Sequence, residues 1–184
     1  MAKEEAVLLQ PGPLIAHLEL KPGQTVGDFG AGGAAHLALE ICQKIGGQGT
    51  AILFDVQKSA LSAALSLLQA RGVTNGKAVW SNLEVYGGAS GVADATIDAG
   101  VLANVLHQSK TPNAILAEIG RMLKSGSRLL VVDWMTDQTT PLAPPVELRL
   151  SPEHVAQLAQ AQGFASLEQF SAGPYHWGLV LVKT

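Results

Sequence analysis

Asp28, Gly30, Gly32 and Asp55 are the residues of this chain whose types and spacing could do chemistry together. The first three stand in the stretch T-V-G-D-F-G-A-G-G-A-A-H-L-A-L-E-I from Thr25 to Ile41, and Asp55 ends the apolar run Ala51 to Phe54. Gly30 and Gly32 let the backbone turn sharply and approach a ligand with no Cβ in the way. A helix opening at about Ala34 would present its free N–H groups to the same space. Asp55 follows Gly30 by 25 residues, about the length of a helix and a returning strand. That places an acceptor-only carboxylate where it can take hydrogen bonds from two adjacent ribose hydroxyls. An open α/β sheet builds a nucleoside crevice in this way.

The glycines leave the ligand undecided, because Gly30, Gly32 and Ala35 also satisfy the G-x-G-x-x-G/A pattern of a dinucleotide turn. An NAD(P)-dependent oxidoreductase is therefore one reading. Asp28 tilts the choice: a carboxylate at the mouth of the first strand would repel a pyrophosphate, whereas S-adenosylmethionine has no phosphate and carries cationic sulfonium and ammonium groups.

The elements that must position these residues follow from periodicity and turn residues. A short helix over 13–19, strands at 25–29 and 49–55, and a helix at 34–45 ended by Gly46-Gly47 come first. Leu61, Leu65 and Leu68 recur at helical spacing, so 57–71 is an amphipathic helix, followed by a short strand at 77–80. Gly87 to Asp94 has no periodicity and reads as loop, and 97–103 returns to strand. Thr111-Pro112 opens a helix running to about Leu123, Ser127 to Asp133 is a fifth strand, and Ser151-Pro152 opens a helix ended by Gly163. The last two strands, 166–171 and 176–183, are joined by too few residues for a crossover and must pair antiparallel. The fold class is α/β: a Rossmann-like, mainly parallel seven-stranded sheet with helices on both faces and an antiparallel C-terminal hairpin, in one domain over residues 1–184.

Right-handed crossovers put the strands' C-terminal ends on one rim, where such sheets bind ligands. That rim carries Asp28, Gly30, Ala31 and Gly32 after the first strand, Asp55 and Val56 after the second, Asn82 and Leu83 after the third, and Ala103, Asn104 and His107 after the fourth. Asp133 and Trp134 follow the fifth, and Pro141 to Pro145 could form part of a substrate wall. Each candidate has a bland alternative. Asp55 could be a strand-end residue starting a turn, Asn82 an ordinary loop opening, and Asp28 a cap on the glycine turn. Tyr175, His176 and Trp177 read as packing at the sheet edge.

The run V-G-D-F-G-A-G-G-A resembles the first motif of class I methyltransferases. L-A-N-V-L-H at 102–107, with I-L-A-E-I-G-R-M-L-K-S-G-S-R-L-L-V-V-D-W at 115–134, is similar to later segments of the ubiquinone/menaquinone-type group. R-L-S-P-E-H-V at 149–155 and G-P-Y-H-W-G-L-V at 173–180 resemble a small subgroup of those enzymes. Ala34 stands where the family usually has a third glycine, and Ser125 and Ser127 replace the proline and second glycine of its L-K-P-G-G turn. The resemblance implies S-adenosylmethionine as cofactor and methyl transfer to a small-molecule acceptor, with a non-catalytic methyltransferase-like binding protein as the alternative. It implies that Asn82 meets the adenine amino group. His107 falls where the family's acceptor pocket begins, either taking a proton or orienting the acceptor as the catalytic residue, or serving as a helix-entry histidine bonded to backbone.

Composition bounds the remaining possibilities. Charged residues make up 15% of the 184, the net charge is −3, and the cations are scattered, so nucleic acid is not an expected partner. No apolar run approaches a membrane span and no secretory leader is visible, which points to the cytoplasm. The five histidines lack metal-ligand spacing, and the one cysteine, Cys42, reads as a packing residue, so no metal site is expected. With only about ten residues before the first element, the acceptor pocket should be open or finished by a second subunit of a homodimer.

Overall fold

The computed structural model describes residues 9–184; the expectations about a leader and an N-terminal cap fall on residues 1–8 and lie outside the described residues. In chain order the elements are α1 (Pro11–Ala16), β1 (Thr25–Phe29), α2 (His36–Ile45), β2 (Thr50–Asp55), α3 (Lys58–Ala70), β3 (Gly76–Trp80), β4 (Ile97–Ala103), α4 (Pro112–Met122), β5 (Leu123–Trp134), α5 (Pro152–Gln160), β6 (Phe164–Ser171) and β7 (His176–Lys183). Short 3₁₀ turns lie at Leu106–Gln108 and Val146–Leu148.

The seven strands form one sheet in the order β3-β2-β1-β4-β5-β7-β6. β1 to β5 run parallel, and β7 inserts antiparallel between β5 and β6. The chain winds outward from β1 through β2 to β3, then crosses back to β4 and winds the other way, which makes the β1/β4 boundary the point where strand order reverses.

Alternation along the strands splits the core in two. Val26, Leu53, Val101 and Leu130 face α1, α2 and α3, while Phe29, Phe54, Leu102 and Leu129 face α4 and α5. Phe29 and Phe54 stack with centroids 4.9 Å apart, an arrangement that adds about 0.5–1.5 kcal/mol beyond burial.

Several boundaries differ from expectation for local reasons. α2 begins at His36 rather than Ala34 because Ala35 takes a left-handed conformation with φ 53° as its N-cap. β5 starts at Leu123, well before Ser127, since Leu123 already pairs with Ile97 ahead of a bulge that re-registers Ala99 with Arg128. α1 lies two residues earlier than expected, at Pro11–Ala16. Thr111 precedes α4 but gives it no side-chain cap, whereas Ser151 accepts the His154 N–H at 3.2 Å and caps α5.

Candidate active site

The loop after β1 is closed from beneath by the end of β2. Gly30 and Ala31 donate their N–H groups to the Phe54 carbonyl at 2.8 and 3.0 Å. Gly32 N–H reaches Asp55 Oδ2 at 2.9 Å, and Gln57 N–H reaches Asp55 Oδ1 at 2.8 Å. Asp55 thus starts a turn and braces the glycine loop. Each of its oxygens keeps a second lone pair, enough for two adjacent hydroxyls. Three N–H groups of the glycine turn are spent on the protein itself, which removes the cradle a pyrophosphate would need.

A cavity of about 440 Å³ opens at the β1/β4 reversal point, a volume within the range of small-ligand sites. Gly30 and Gly32 form one side, and Asp55, Val56 and Gln57 after β2 the next. Ser81 to Glu84 after β3 face Asn104, Val105, Gln108 and Ser109 after β4, with Ile115 of α4 behind. Ser109 donates through its hydroxyl to Glu84 Oε1 and accepts the Thr111 N–H at 2.9 Å, tying the two walls together. Two atoms in this lining, Ser81 Oγ and Asn104 Oδ1, are buried with no hydrogen-bond partner among the described residues. Left so, each costs about 1–3 kcal/mol, so the lining suits a ligand rich in polar groups. Asn104 also holds φ at 57°, a left-handed conformation tolerated by Asn more than by most residues.

Of the expected site residues, Gly30, Gly32, Asp55, Val56, Asn82, Leu83 and Asn104 meet around this cavity. Asp28, Ala31, Ala103 and His107 do not line it. Ala31 and Ala103 pack against the α1–α3 side of the core. Asp28 is buried on the same side of β1 as Val26, and burial, reinforced by the charge of Asp55, pushes its carboxyl up to about 7. Burial first and the Asp28 charge second push the Cys42 thiol up to about 11, in keeping with an inert packing residue.

His107 sits in the turn after β4 with its Nδ1 2.7 Å from Asp133 Oδ1, and its backbone N–H meets Asp133 Oδ2 at 3.2 Å. Trp134 N–H donates to Asp133 Oδ1 at 2.8 Å. His176, across from Trp134 on β7, packs on that indole with centroids 4.1 Å apart and is fully buried. Both its ring nitrogens lack partners among the described residues, and burial holds it down to about 4. Trp177 is buried on the opposite face, its Nε1 donating to the carbonyls of Trp134 and Leu150 at 3.1 and 3.0 Å.

Gln57, Ser81, Glu84, Gln108, Ser109 and Ile115 line the cavity without having been singled out by sequence. Only their nearness to Asp55, Asn82 and Asn104 signalled them.

A family model described as a methyltransferase domain matches residues 20–170, most of the chain. The chain belongs to that methyltransferase family. It is of the class I, S-adenosylmethionine-dependent kind. The ubiquinone/menaquinone biosynthesis C-methyltransferase UbiE of Francisella philomiragia is 34% identical over 121 residues, which take in 65% of this chain and 46% of that protein. The methyltransferase thus spans about half the length of the curated relatives it matches. Among solved structures, a SAM-dependent methyltransferase from Aquifex aeolicus superposes with a TM-score of 0.85 at 24% identity, covering 96% of this chain and 91% of that one. The 4+2 cyclase SpnF gives 0.77 at 16% identity, covering 93% and 79%. These two likenesses establish the methyltransferase fold. No helix among the described residues is long and apolar enough to cross a membrane.

Proposed function

We propose that this methyltransferase transfers a methyl group from S-adenosylmethionine to a small-molecule acceptor, binding the cofactor in the cavity at the β1/β4 reversal. One observation carries the reading: Asp55, with two lone pairs to spare, faces a lining that buries the unpartnered Ser81 Oγ and Asn104 Oδ1. Asp55 takes the ribose hydroxyls. Asn82, whose Oδ1 already accepts the Glu84 N–H at 3.0 Å, offers its remaining capacity to the adenine edge, and Val56 and Leu83 give the base apolar contact. Asn104 Oδ1 accepts from the methionine ammonium. Gly30 and Gly32 form the backbone floor, Ala31 and Ala103 back it from the α1–α3 side, and Asp28 beneath it supplies negative potential when ionised. Bound there, S-adenosylmethionine supplies a methyl carbon activated by its sulfonium. The protein holds the acceptor in line and excludes water, with His107 as the candidate proton acceptor. A net charge of −3 and scattered cations favour a small acceptor over nucleic acid, in a cytoplasmic protein whose acceptor side is open or completed by a second copy of the chain.

Calorimetric titration tests this. S-adenosylhomocysteine should bind and NADH should not. Asp55→Ala should weaken that binding by about 1.5–3 kcal/mol, the range for a hydrogen bond to a charged group, while urea unfolding shows the variant folded. Unchanged affinity in the folded variant removes the ribose assignment.

A further inference from the structure

The Asp133 carboxylate is fully buried at the end of β5 and accepts three hydrogen bonds, from the His107 backbone, the His107 ring and the Trp134 backbone. A carboxylate only accepts, so His107 Nδ1 carries the hydrogen, and the tautomer this selects has its lone pair on Nε2. Nε2 has no partner among the described residues, and the side chain is 11% exposed. His107 lies between Val105 and Gln108, both cavity-lining, on the rim of β4 and β5. The groups assigned to the adenosine lie on the other side of β1, after β2 and β3. A cofactor held between Asn82 and Asn104 would have its far end on the β4 side of the crevice, the side whose following turn carries His107.

We propose that Asp133 is the positioning residue that fixes His107 as a general base, and that the acceptor is an acidic hydroxyl, a phenol or an enol, which loses its oxygen proton to Nε2 as it is methylated; this rests on the methyl-transfer reading above. The acceptor's nucleophilic atom forms its bond to the methyl carbon as the carbon–sulfur bond breaks, the bonding pair leaving on sulfur. The hydroxyl proton moves to Nε2, and the imidazolium so formed is held by Asp133. The products are the methyl ether, or the C-methyl compound when an enolate reacts through carbon, together with S-adenosylhomocysteine. His107 then returns its proton to solvent. Two ionisable groups face His107, Asp133 from β5 and His176 from β7. His176, kept neutral by burial, adds no positive charge that would oppose protonation of His107.

The hydroxyl class follows from where a base is needed. A phenol with a pKa of about 10 is well under 1% ionised near neutrality, whereas a thiol at about 8.5 is already partly ionised. A neutral amine or a trivalent arsenic centre attacks through its own lone pair and needs no proton removed beforehand. An imidazole base therefore gains most with a hydroxyl.

The test joins spectroscopy to rates. Long-range nitrogen–proton NMR on the protein with S-adenosylhomocysteine should show His107 as the Nδ1–H tautomer, and Asp133→Asn should abolish that preference. With methyl-labelled S-adenosylmethionine, label should pass to catechol or acetylacetone in preference to thiophenol, dimethylamine or arsenite. His107→Gln and Asp133→Asn should each lower kcat by roughly 10²–10⁴-fold, with KM and S-adenosylhomocysteine affinity held within about threefold. If Asp133→Asn does not fold, the wild-type tautomer and the His107→Gln rate decide alone. An Nε2–H tautomer, an unchanged kcat in folded His107→Gln, preferred transfer to the thiol, amine or arsenite, or no transfer to either hydroxyl probe by protein that binds S-adenosylhomocysteine overturns the proposal. Failure of the wild type to bind S-adenosylhomocysteine would instead remove the methyl-transfer reading on which it rests.

Discussion

At Gly30 the backbone runs at φ 81°, and a Cβ built there would lie 2.3 Å from Cγ2 of Val105, the side chain that crosses from the end of β4. The sequence suggested that this glycine opens room for a ligand; the closer reason is that it lets β4's following loop seat over β1. Gly32, with φ 60°, is different, since a Cβ there meets nothing within 4 Å. Gly30→Ala should therefore cost folding more than Gly32→Ala. The left-handed backbone alone costs about 1–3 kcal/mol for a non-glycine residue, and only at position 30 must Val105 also move. Urea unfolding of both variants, and of Gly30→Ala combined with Val105→Ala, measures this. The double variant should recover part of the loss, because the two sites touch and their effects do not add. Equal midpoints for the two single variants would show that Val105 gives way without cost.

At the scale of elements, α4 does more than cover the sheet. Glu118 on this helix is fully buried and accepts the N–H groups of Gly87 and Ala89 at 2.7 and 3.0 Å while Arg121 bridges it through Nε and Nη2 at 2.9 and 2.7 Å. Arg121 also reaches the Val92 carbonyl at 2.9 Å and Asp94 at 2.6 Å. Burial alone would raise the Glu118 carboxyl, but these hydrogen bonds and the Arg121 charge hold it below its usual range. The loop so clamped begins just after Asn82, Leu83 and Glu84, which line the cavity. Glu118→Gln should destabilise by about 3–5 kcal/mol, the usual consequence of removing one partner from a buried pair. Hydrogen exchange at the Gly87 and Ala89 amides should speed up with it. Unchanged exchange there would mean the loop is held by Ala89 and Val92 packing instead. The sequence read 87–94 as loop, as it is, but gave no sign of the clamp, because its Gly and Ala residues carry no periodicity and their partner lies about thirty residues away. β1 and β4, by contrast, matched their expected bounds, since local patterning and flanking turns define a strand. Half of the candidate site was legible for the same reason: Gly30, Gly32 and Asp55 are linked by one helix and one strand. The His107–Asp133 pair was not, because it depends on β4 and β5 being neighbours in the sheet, which no local pattern specifies.

For the whole molecule, two buried ionisable groups bend the dependence of stability on pH in opposite directions. Asp28 binds its proton more tightly in the fold, its pKa raised from 3.8 to about 7, so its contribution declines as pH rises between those values. His176 binds its proton less tightly, lowered from 6.5 to about 4, so its contribution declines as pH falls through that interval. Between about pH 4.5 and 6.5 the folded chain holds one extra proton at Asp28 and lacks one at His176 relative to the unfolded chain. The two slopes, each about 1.4 kcal/mol per pH unit, cancel. Asp28→Asn should expose the histidine's slope, losing stability relative to wild type as pH falls from 6.5 to 4.5 and exceeding wild type above pH 7. His176→Phe should expose the opposite slope, gaining on wild type toward pH 4.5, where the unfolded wild-type histidine would have been protonated. Urea midpoints of the three proteins across this interval read the effect directly, and taking differences from wild type removes the surface groups they share. Glu118 enters only toward the acid end, since its contribution is lost as pH falls below its ordinary value of 4.5. Parallel curves for wild type and Asp28→Asn would show that Asp28 is ionised in the fold throughout, and its assignment as a buried acid that keeps its proton up to about pH 7 would fall.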